Sequence, residues 1–330
     1  MRLFVLLSLL FSVQALAQNK PTLNVYTYDS FSSEWGPGPK IEQAFEAVCE
    51  CDLKFVSVDS STGILSRVQL EGAGSSADIV LGLDNSLIVD AENTGLIAPH
   101  GVDMSSLNLP ISWDNGKFLP FDFGYFAFIY NTETHPNPPG SFDELVEADN
   151  DLKIVIQDPG SSTPGLGLML WVKSVYGDRA AEVWQKLKPR ILTVTKGWSE
   201  AYGMFLEGEA DMVLSYTTSP AYHMIAESES RYQAASFSDG HGMQIEVAAK
   251  LKNAPNPELA DRFMQFILTQ DFQSIIPMGN WMFPVVSLDE GLPEDFGKLV
   301  NPAISLMMDA GEISQNKGGW IDEFNQALSN

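Results

Sequence analysis

Aromatic and hydroxyl side chains between positions 196 and 222 are the residues of this 330-residue chain best suited to hold a ligand. Two apolar strand-like runs, 191–195 and 212–216, each lead into a turn that carries such side chains and then into a helix start. Open α/β sheets bind ligands beyond the carboxyl ends of their strands, and aromatic faces with small donors suit a flat polar molecule. Packing of the same aromatic residues against the core explains the pattern equally well. The candidate residues are Trp198, Tyr216, Thr217, Thr218, Ser219 and Tyr222.

A second candidate binding turn follows the strand predicted at 153–157. Its sequence, DPGSSTPG at 158–165, predicts a helix with Thr163 at the N-cap and Pro164 at the first helical position. The hydroxyls of Ser162 and Thr163, together with the free N–H groups and positive dipole of the helix start, suit an anion such as phosphate. The same residues would also cap an ordinary helix. The Gly-Lys-Ser/Thr ending of a nucleotide P-loop is missing.

Catalytic motifs do not accompany these binding features. The sequence has no Gly-x-Ser-x-Gly elbow, and no carboxylate stands at a spacing that marks a general acid or base. The four histidines do not have the spacing of metal ligands, so no metal site is predicted. The sequence therefore favours binding over catalysis. The histidines are His100, His135, His223 and His241.

The two cysteines, Cys49 and Cys51, are separated by one residue. An oxidising compartment favours a disulfide between them, but such a bridge is strained in extended chain, where side chains at i and i+2 lie too far apart. We therefore expect the bridge at a helix-to-strand turn. Without two further ligands the pair is a poor zinc site.

Export is indicated by residues 1–17, which combine Arg2, a short apolar run and a small-residue pattern that predicts cleavage after Ala17. The apolar run is too short to span a membrane. The remaining length predicts two domains of ordinary size. The formal net charge of −24 predicts an acidic surface that repels nucleic acid and anionic lipid and attracts cations.

The elements that position the candidate residues alternate between strands and helices. A first strand at 23–28 ends near Tyr28, and a Gly/Pro-rich turn with Trp35 leads into a helix at 40–48. A second strand at 53–58 precedes Ser60 and Ser61, which are expected to cap a helix at 64–71. Further strands are predicted at 77–81, 118–130 and 243–249, the last two as crossovers between domains, and helices at 166–176, 257–268 and 319–328.

Six segments together resemble the periplasmic thiamine-binding proteins of bacterial ABC importers, over essentially the whole chain after residue 17. They are VYTYDSFSSEWGPGP at 25–39, ADIVLGLDN at 77–85, QDPGSSTPGLG at 157–167, TKGWSEAYG at 195–203, VLSYTTSPAYH at 213–223 and PMGNWMFPV at 277–285. The resemblance implies the α/β type II periplasmic-binding fold, with two α/β lobes joined by a two-crossover hinge. The expected lobes are 18–122 with 250–330, and 123–249.

The resemblance also implies a function: a monomeric periplasmic receptor without a cofactor that binds thiamine, thiamine phosphate or thiamine diphosphate between the lobes and delivers it to an inner-membrane permease. By motif, Ser162, Thr163 and Trp198 would meet the phosphate or hydroxyethyl end of the ligand. At one turn the family often has Asp-Gly where this chain has Ser60-Ser61 after Asp59. Residues 216–219 would line the middle of the cleft, and the residues expected to hold the rings are Tyr28, Trp35, Tyr222 and Trp281.

Three alternatives compete with this hypothesis. A thiaminase-like secreted enzyme of the same fold would need a cysteine nucleophile in the cleft. A ferric-ion receptor would use Tyr216 and Tyr222 as phenolate ligands. The third is a receptor of this fold for another organic cation.

Overall fold

A computed structural model describes residues 20–149 and 151–329. The predicted signal peptide, residues 1–17, lies outside the described residues. Among the helices that are described, none is long and apolar enough to cross a membrane. The described chain is mixed α/β, with helices packed on a twelve-stranded sheet.

The strands form where β-branched and aromatic residues alternate or cluster between turn residues. In the first strand, burial alternates along its first half and both neighbours in the sheet pair with it. In chain order the strands are β1 (Thr22–Tyr28), β2 (Asp52–Val58), β3 (Ile79–Asp84), β4 (Ile97–Ala98), β5 (Leu119–Asn131), β6 (Ile154–Gln157), β7 (Ile191–Thr195), β8 (Met212–Tyr216), β9 (Tyr232–Ala234), β10 (His241–Leu251), β11 (Phe283–Pro284) and β12 (Ser305–Leu306).

Three of the helices begin at side-chain caps, since the side chains of Ser60, Ser141 and Ser162 each accept a first-turn backbone N–H group. In chain order the helices are α1 (Asp29–Ser32), α2 (Gly38–Cys49), α3 (Ser61–Glu71), α4 (Ile88–Asn93), α5 (Phe142–Glu147), α6 (Thr163–Tyr176), α7 (Ala180–Leu187), α8 (Trp198–Leu206), α9 (Ser219–Ala226), α10 (Pro257–Phe266), α11 (Gln270–Gln273), α12 (Ile276–Gly279) and α13 (Ala310–Ser329).

The main path of the sheet runs β2-β1-β3-β10-β5-β8-β6-β7. Strand β1 is parallel to β2 and β3, and β6 is parallel to β7 and β8, whereas β10 is antiparallel to β3 and β5. We call the part built on β1, β2 and β3 the first lobe, and the part built on β6, β7 and β8 the second lobe.

The long strands β5 and β10 connect the two lobes, as predicted for the crossovers. Residues 119–125 of β5 pair with β10, and residues 126–130 pair with β8 of the second lobe. The change of partner falls between Tyr125 and Phe126. The lobe boundaries at 122/123 and 249/250 stay predictions.

Aromatic residues fill the cores on both sides of this sheet. In the first lobe, Phe45 of α2 packs edge-on against Phe263 of α10, with the ring centroids 5.0 Å apart. In the second lobe, Trp171 of α6 contacts Phe142 at 4.7 Å. Such rings contribute large buried apolar areas and fix the helices on the sheet.

The last helix, α13, contacts both lobes. On its second-lobe side Phe324 packs edge-on against Trp184 of α7 at 4.8 Å. On its first-lobe side Lys317 forms an ion pair with Asp90 of α4. The helix begins at Ala310, nine residues before the start predicted from the sequence (319 minus 310).

Predicted boundaries at α6 and β3 are also wrong. Ser162, not Thr163, is the N-cap of α6, because the oxygen of Ser162 accepts the N–H of Gly165 and Thr163 already has helical geometry. Strand β3 begins at Ile79, two residues later than predicted, and extends to Asp84. The carboxylate of Asp78 accepts the N–H groups of Asn24 and Asn256, and therefore ties the start of the strand to its neighbours.

The predicted disulfide is confirmed. Cys49 ends α2, Cys51 directly precedes β2, and the two sulfurs are bonded. The intervening Glu50 lies in the left-handed region at φ 56°, which reverses the chain at the helix end. Both cysteines are buried.

Candidate functional site

A cavity of about 650 Å³ lies between the two lobes, at the carboxyl ends of strands from each. It is lined by eleven of the thirteen residues predicted from the sequence, as well as by residues that were not predicted. The predicted residues on its wall are Tyr28, Trp35, Ser60, Ser61, Ser162, Thr163, Trp198, Tyr216, Ser219, Tyr222 and Trp281.

Five helices begin at the wall of this cavity. They are α1, α3, α6, α8 and α9, and the first residue of each lines it. A helix start presents unpaired N–H groups and a positive partial charge. Ser60 and Ser162 cap α3 and α6, and the hydroxyl oxygen of each accepts one N–H group of the first turn, from Gly63 and Gly165. The part of the wall where α3 and α6 begin is suited to an anionic or hydroxyl group.

The second lobe contributes an aromatic wall held by hydrogen bonds. Trp198 stacks on Tyr202, with ring centroids 4.8 Å apart and planes inclined by 24°. Its indole Nε1 donates to Oγ of Ser215 at 2.7 Å. Since the N–H of Trp198 is already paired, the residue offers the cavity its ring face and not a donor.

Tyr202 is fixed in turn by a chain of polar contacts that runs through the buried His223 to the exposed Glu227. Its hydroxyl lies 2.9 Å from Nε2 of His223, and Nδ1 of His223 lies 2.7 Å from the carboxylate of Glu227. Burial lowers the pKa of His223, although the nearby Glu227 opposes this effect. The chain holds the tyrosine ring in one orientation behind Trp198.

The first lobe supplies further aromatic residues on the opposite side. Trp281 packs edge-on against Tyr222 of the second lobe at 5.3 Å, so these two rings meet across the cavity. The backbone of Trp281 has φ 55°, a left-handed conformation that is uncommon for an aromatic residue and is found at ligand sites. Trp35 is 58% exposed at the mouth of the cavity.

The floor of the cavity is formed where β1, β5 and β10 meet the loop after α12. Nδ2 of Asn280 lies 2.6 Å from Oδ2 of Asp122 and 3.2 Å from Oε2 of Glu246. The hydroxyl of Tyr28 donates to the same Glu246 oxygen at 2.9 Å. The side-chain amide of Asn280 therefore contacts two buried carboxylates, those of Asp122 and Glu246.

Burial changes the acidity of these groups. It raises the pKa of Asp122 to about 7 and raises that of Glu246 well above its usual range, where the neighbouring Asp122 adds to the effect. Two ionised carboxylates this close repel each other at low dielectric, so the pair retains a proton near neutral pH. Burial and both carboxylates also raise the pKa of Tyr28, which stays neutral.

A third carboxylate, Asp84 of β3, supports the floor from behind. Its Oδ2 accepts from Nε2 of Gln244 at 3.0 Å, and burial raises its pKa to about 6. Gln244 lines the cavity, and within the described chain its Oε1 has no hydrogen-bond partner. Tyr216 lies at the same floor, and its pKa is raised by burial and by the three carboxylates Glu246, Asp84 and Asp122.

Thr217 and Thr218 were predicted at the site but do not line the cavity. Both are completely buried. Thr218 supports the wall indirectly, because its hydroxyl contacts the sulfur of Met282 at 3.8 Å and Met282 lines the cavity. The N–H of Thr217 donates to the carbonyl oxygen of Tyr125 at 2.8 Å and joins the end of β8 to β5.

The polar floor was missed by the sequence reasoning. A signal was present: Gln244 and Glu246 stand two apart in an otherwise apolar strand, and such a pair faces one side of the sheet. Buried polar side chains in an apolar strand need partners, and a ligand is one source of them.

Two contacts join the lobes beside the cavity. Oγ1 of Thr62 in α3 donates to the carbonyl oxygen of Ser161, before α6, at 2.8 Å. Lys196 of the second lobe forms an exposed ion pair with Asp59 of the first. The cavity is thus bounded by contacts that exist only while the lobes are together.

Two lobes joined by two strands, with a solute-sized cavity between them, define a solute-binding protein with the type II periplasmic-binding fold. Residues 38–274 match the family of bacterial extracellular solute-binding proteins, and the chain belongs to this family. It is 52% identical over 310 residues to the thiamine-binding periplasmic protein of Escherichia coli K12, covering 94% of each chain. It is 48% identical over 288 residues to that of Haemophilus influenzae, covering 87% of this chain and 86% of the other.

Solved structures agree with this family. A periplasmic thiamin binding protein superposes with a TM-score of 0.92 at 51% identity, covering 94% of this chain and 97% of the other. The ferric binding protein of Campylobacter jejuni superposes with a TM-score of 0.76 at 18% identity, covering 92% and 99%. The second likeness shows that the fold is shared and nothing more.

Proposed function

We propose that this protein is the periplasmic thiamine-binding component of an ABC importer, which binds thiamine and its phosphates between its lobes and delivers them to a membrane permease. The observation that supports this most directly is the cavity itself. Aromatic faces line its sides, helix starts lie at one end and carboxylates at its floor. Names of relatives at about half identity over nearly the full chain point to the same ligand.

The chemistry of thiamine matches these three regions. Its thiazolium ring is a permanent cation, and the faces of Trp198, Tyr222 and Trp281 offer stacking and cation–π attraction of roughly 0.5–2 kcal/mol each. The hydroxyethyl or phosphate group suits the helix starts near Ser60 and Ser162. The acidic surface of the protein attracts the cation at long range, and the helix starts offset the repulsion of a phosphate locally.

Export, the partner and the oligomeric state belong to the same proposal. Residues 1–17 are proposed as a signal peptide cleaved after Ala17, which places the mature protein in the periplasm beside an inner-membrane permease. The protein is proposed to act as a monomer and to need no cofactor.

Closure of the lobes requires a ligand that contacts both, since only differential affinity for the closed state shifts the equilibrium.

The cysteines favour a binding protein over a thiaminase-like enzyme. Such an enzyme needs a thiolate nucleophile in the cleft. The only two cysteines of the sequence, Cys49 and Cys51, are joined in a buried disulfide and do not line the cavity. Intact thiamine after long incubation with the reduced protein is the expected result.

A ferric-ion receptor is less favoured, because relatives at about half identity are named for thiamine, whereas the ferric binding protein of Campylobacter jejuni is only 18% identical. No group of three or more His, Cys, Asp or Glu side chains in the described ranges is arranged to hold a metal ion. We expect no tyrosinate–iron absorption band after iron loading.

Fluorescence titration of ligand-free protein with thiamine, thiamine phosphate and thiamine diphosphate tests the proposal. We expect saturable quenching that weakens roughly 2- to 30-fold in Trp198→Ala, because one ring face is lost. The matched control Trp320→Ala removes a tryptophan of α13 outside the cavity and should leave the affinity unchanged. The double change Ser162→Ala/Thr163→Ala should reduce any preference for the phosphates. Absence of binding to all three ligands, checked by calorimetry, would refute the function.

A further inference from the structure

The floor of the cavity has buried hydrogen-bond acceptors that no donor of the described residues pairs with. Oε1 of Gln244 and Oδ1 of Asp122 have no hydrogen-bond partner among residues 20–149 and 151–329. Gln244 is 2% exposed and Asp122 is completely buried. A buried acceptor without a donor is costly, and of these two side chains Gln244 lines the cavity, so a ligand that supplies an N–H group can pair with its Oε1.

Charge at the floor points to the same kind of molecule. The ionisable groups that face Glu246 are Tyr28 from β1, Asp84 from β3, Asp122 from β5 and Tyr216 from β8. Each is an acid and none is a cation; Lys317 of α13, which acts on Asp84, is partly exposed and is paired with Asp90. An anionic group of a ligand is therefore repelled from the floor, and the positively polarised end of the ligand is attracted.

We propose that Glu246, with Gln244, binds the amino group of the ligand's pyrimidine ring at the floor of the cavity, and that binding expels the proton shared by Glu246 and Asp122. This inference rests on the proposed function. The amino group donates two N–H groups, and ionised Glu246 accepts them more strongly than the protonated acid, which keeps only part of its acceptor capacity. The proton therefore leaves the pair and passes to the buffer when the ligand binds.

The arrangement of the cavity gives the orientation of the ligand. The helix starts of α3 and α6 lie at the part of the wall suited to an anion, where the charge of Asp59 is paired with Lys196, whereas Glu246 lies at the floor. A phosphorylated ligand consequently places its phosphate at the helix starts and its amino-substituted ring at Glu246. Glu246 is then a residue that determines specificity, because it distinguishes an amino group from an oxo group at this position of the ring.

The sign of the pH dependence follows from the free protein. The pair holds its protons below about pH 7 and loses one as the pH rises through that value, since the pKa of Asp122 is raised to about 7. Binding that favours a carboxylate competes with those protons. The affinity for thiamine should therefore rise with pH through about 7, by up to roughly tenfold per pH unit for each proton released.

Calorimetric titration with thiamine and with its 4′-oxo analogue, oxythiamine, tests the inference. Titrations at pH 6, 7 and 8 in buffers of different ionisation enthalpy count the protons released. Wild-type protein should bind thiamine roughly 10- to 100-fold more tightly than oxythiamine, since the oxo group leaves the acceptors unpaired. It should also release protons on binding thiamine.

Two variants and one control separate the parts of the inference. Glu246→Gln should bring the thiamine-to-oxythiamine ratio close to one and abolish proton release. Asp122→Asn should reduce proton release while the ratio is kept, because burial still raises the pKa of Glu246 but the neighbouring charge no longer adds to it, and it serves as the second variant if Glu246→Gln unfolds. The control Glu258→Gln makes the same change on the exposed start of α10 and should alter neither quantity.

Failure of the inference and failure of the function give different results. Wild-type protein that binds neither compound overturns the proposed function and this inference together. Wild-type protein that binds both compounds equally, or Glu246→Gln that keeps both the ratio and the proton release, overturns this inference alone.

Discussion

Replacement of Thr62 by valine is the sharpest test of how the lobes are held together. The hydroxyl of Thr62 in α3 donates to the carbonyl oxygen of Ser161 in the second lobe at 2.8 Å. Valine keeps the shape of the side chain and removes this hydroxyl. Since the hydrogen bond exists only while the lobes are together, its free energy contributes to the closed state alone.

The size of the effect follows from the surroundings of the contact. A hydrogen bond in a protein contributes a net ~0.5–1.5 kcal/mol. Thr62 and Ser161 are both partly exposed, so water can reach the carbonyl oxygen once the bond is lost and no buried group is left unpaired. We therefore expect a loss of about 1 kcal/mol from the closed state, which corresponds to roughly a fivefold shift of the equilibrium toward the open state.

Ligand dissociation is the quantity to measure. Release of a bound ligand requires opening, so the dissociation rate of Thr62→Val should rise about fivefold in a stopped-flow displacement experiment. Thr62→Ser keeps the hydroxyl and is the matched control, with a rate expected near that of the wild type. A rate for Thr62→Val within twofold of the wild type, or equal acceleration in Thr62→Ser, would refute the reasoning.

Two further predictions concern residues behind the cavity wall. Gly82 has φ +102°, and a Cβ there would lie 2.4 Å from Cε1 of Tyr28. Gly82→Ala should therefore displace the tyrosine ring and weaken thiamine binding about tenfold, as measured by calorimetry. The control Gly74→Ala has open space around its Cβ and should bind thiamine normally. Asp84 has a pKa raised from 3.8 to about 6, so the native state binds more protons than the unfolded state and loses stability as the pH rises from about 4 through about 6. Asp84→Asn should therefore be more stable than the wild type by about 3 kcal/mol at pH 8, and not at pH 3.5, in urea unfolding. Equal differences at both pH values would contradict this.

The alternation of strands and helices was predictable because its causes are local. Apolar runs bounded by turn residues identified β1, β2 and β5, and the aromatic residues after β1 and β8 stand at the cavity wall. The N-cap of α6 was misplaced by one residue because Ser162 and Thr163 are both good capping residues, and only the observed bond to Gly165 distinguishes them.

The floor of the cavity was not predictable in the same way. Tyr28, Asp122, Glu246 and Asn280 meet through contacts that span up to 252 positions of sequence. No local pattern relates residues so far apart, since their meeting depends on the order of strands in the sheet. Helix α1 was missed for a related reason: only four residues long, it is anchored by the burial of Phe31 in the first-lobe core.

The order of strands in the sheet also sets an order of folding. The second lobe is built mainly from residues between β5 and β10, whereas the first lobe needs β10 beside β3 and α10 against α2 before its core is covered. We therefore expect a nascent chain to close its earliest-made lobe last, after residue 266 has been synthesised. Until then β1, β2 and β3 remain without part of their core, and the chain stays accessible to protease in pulse experiments on arrested chains of increasing length.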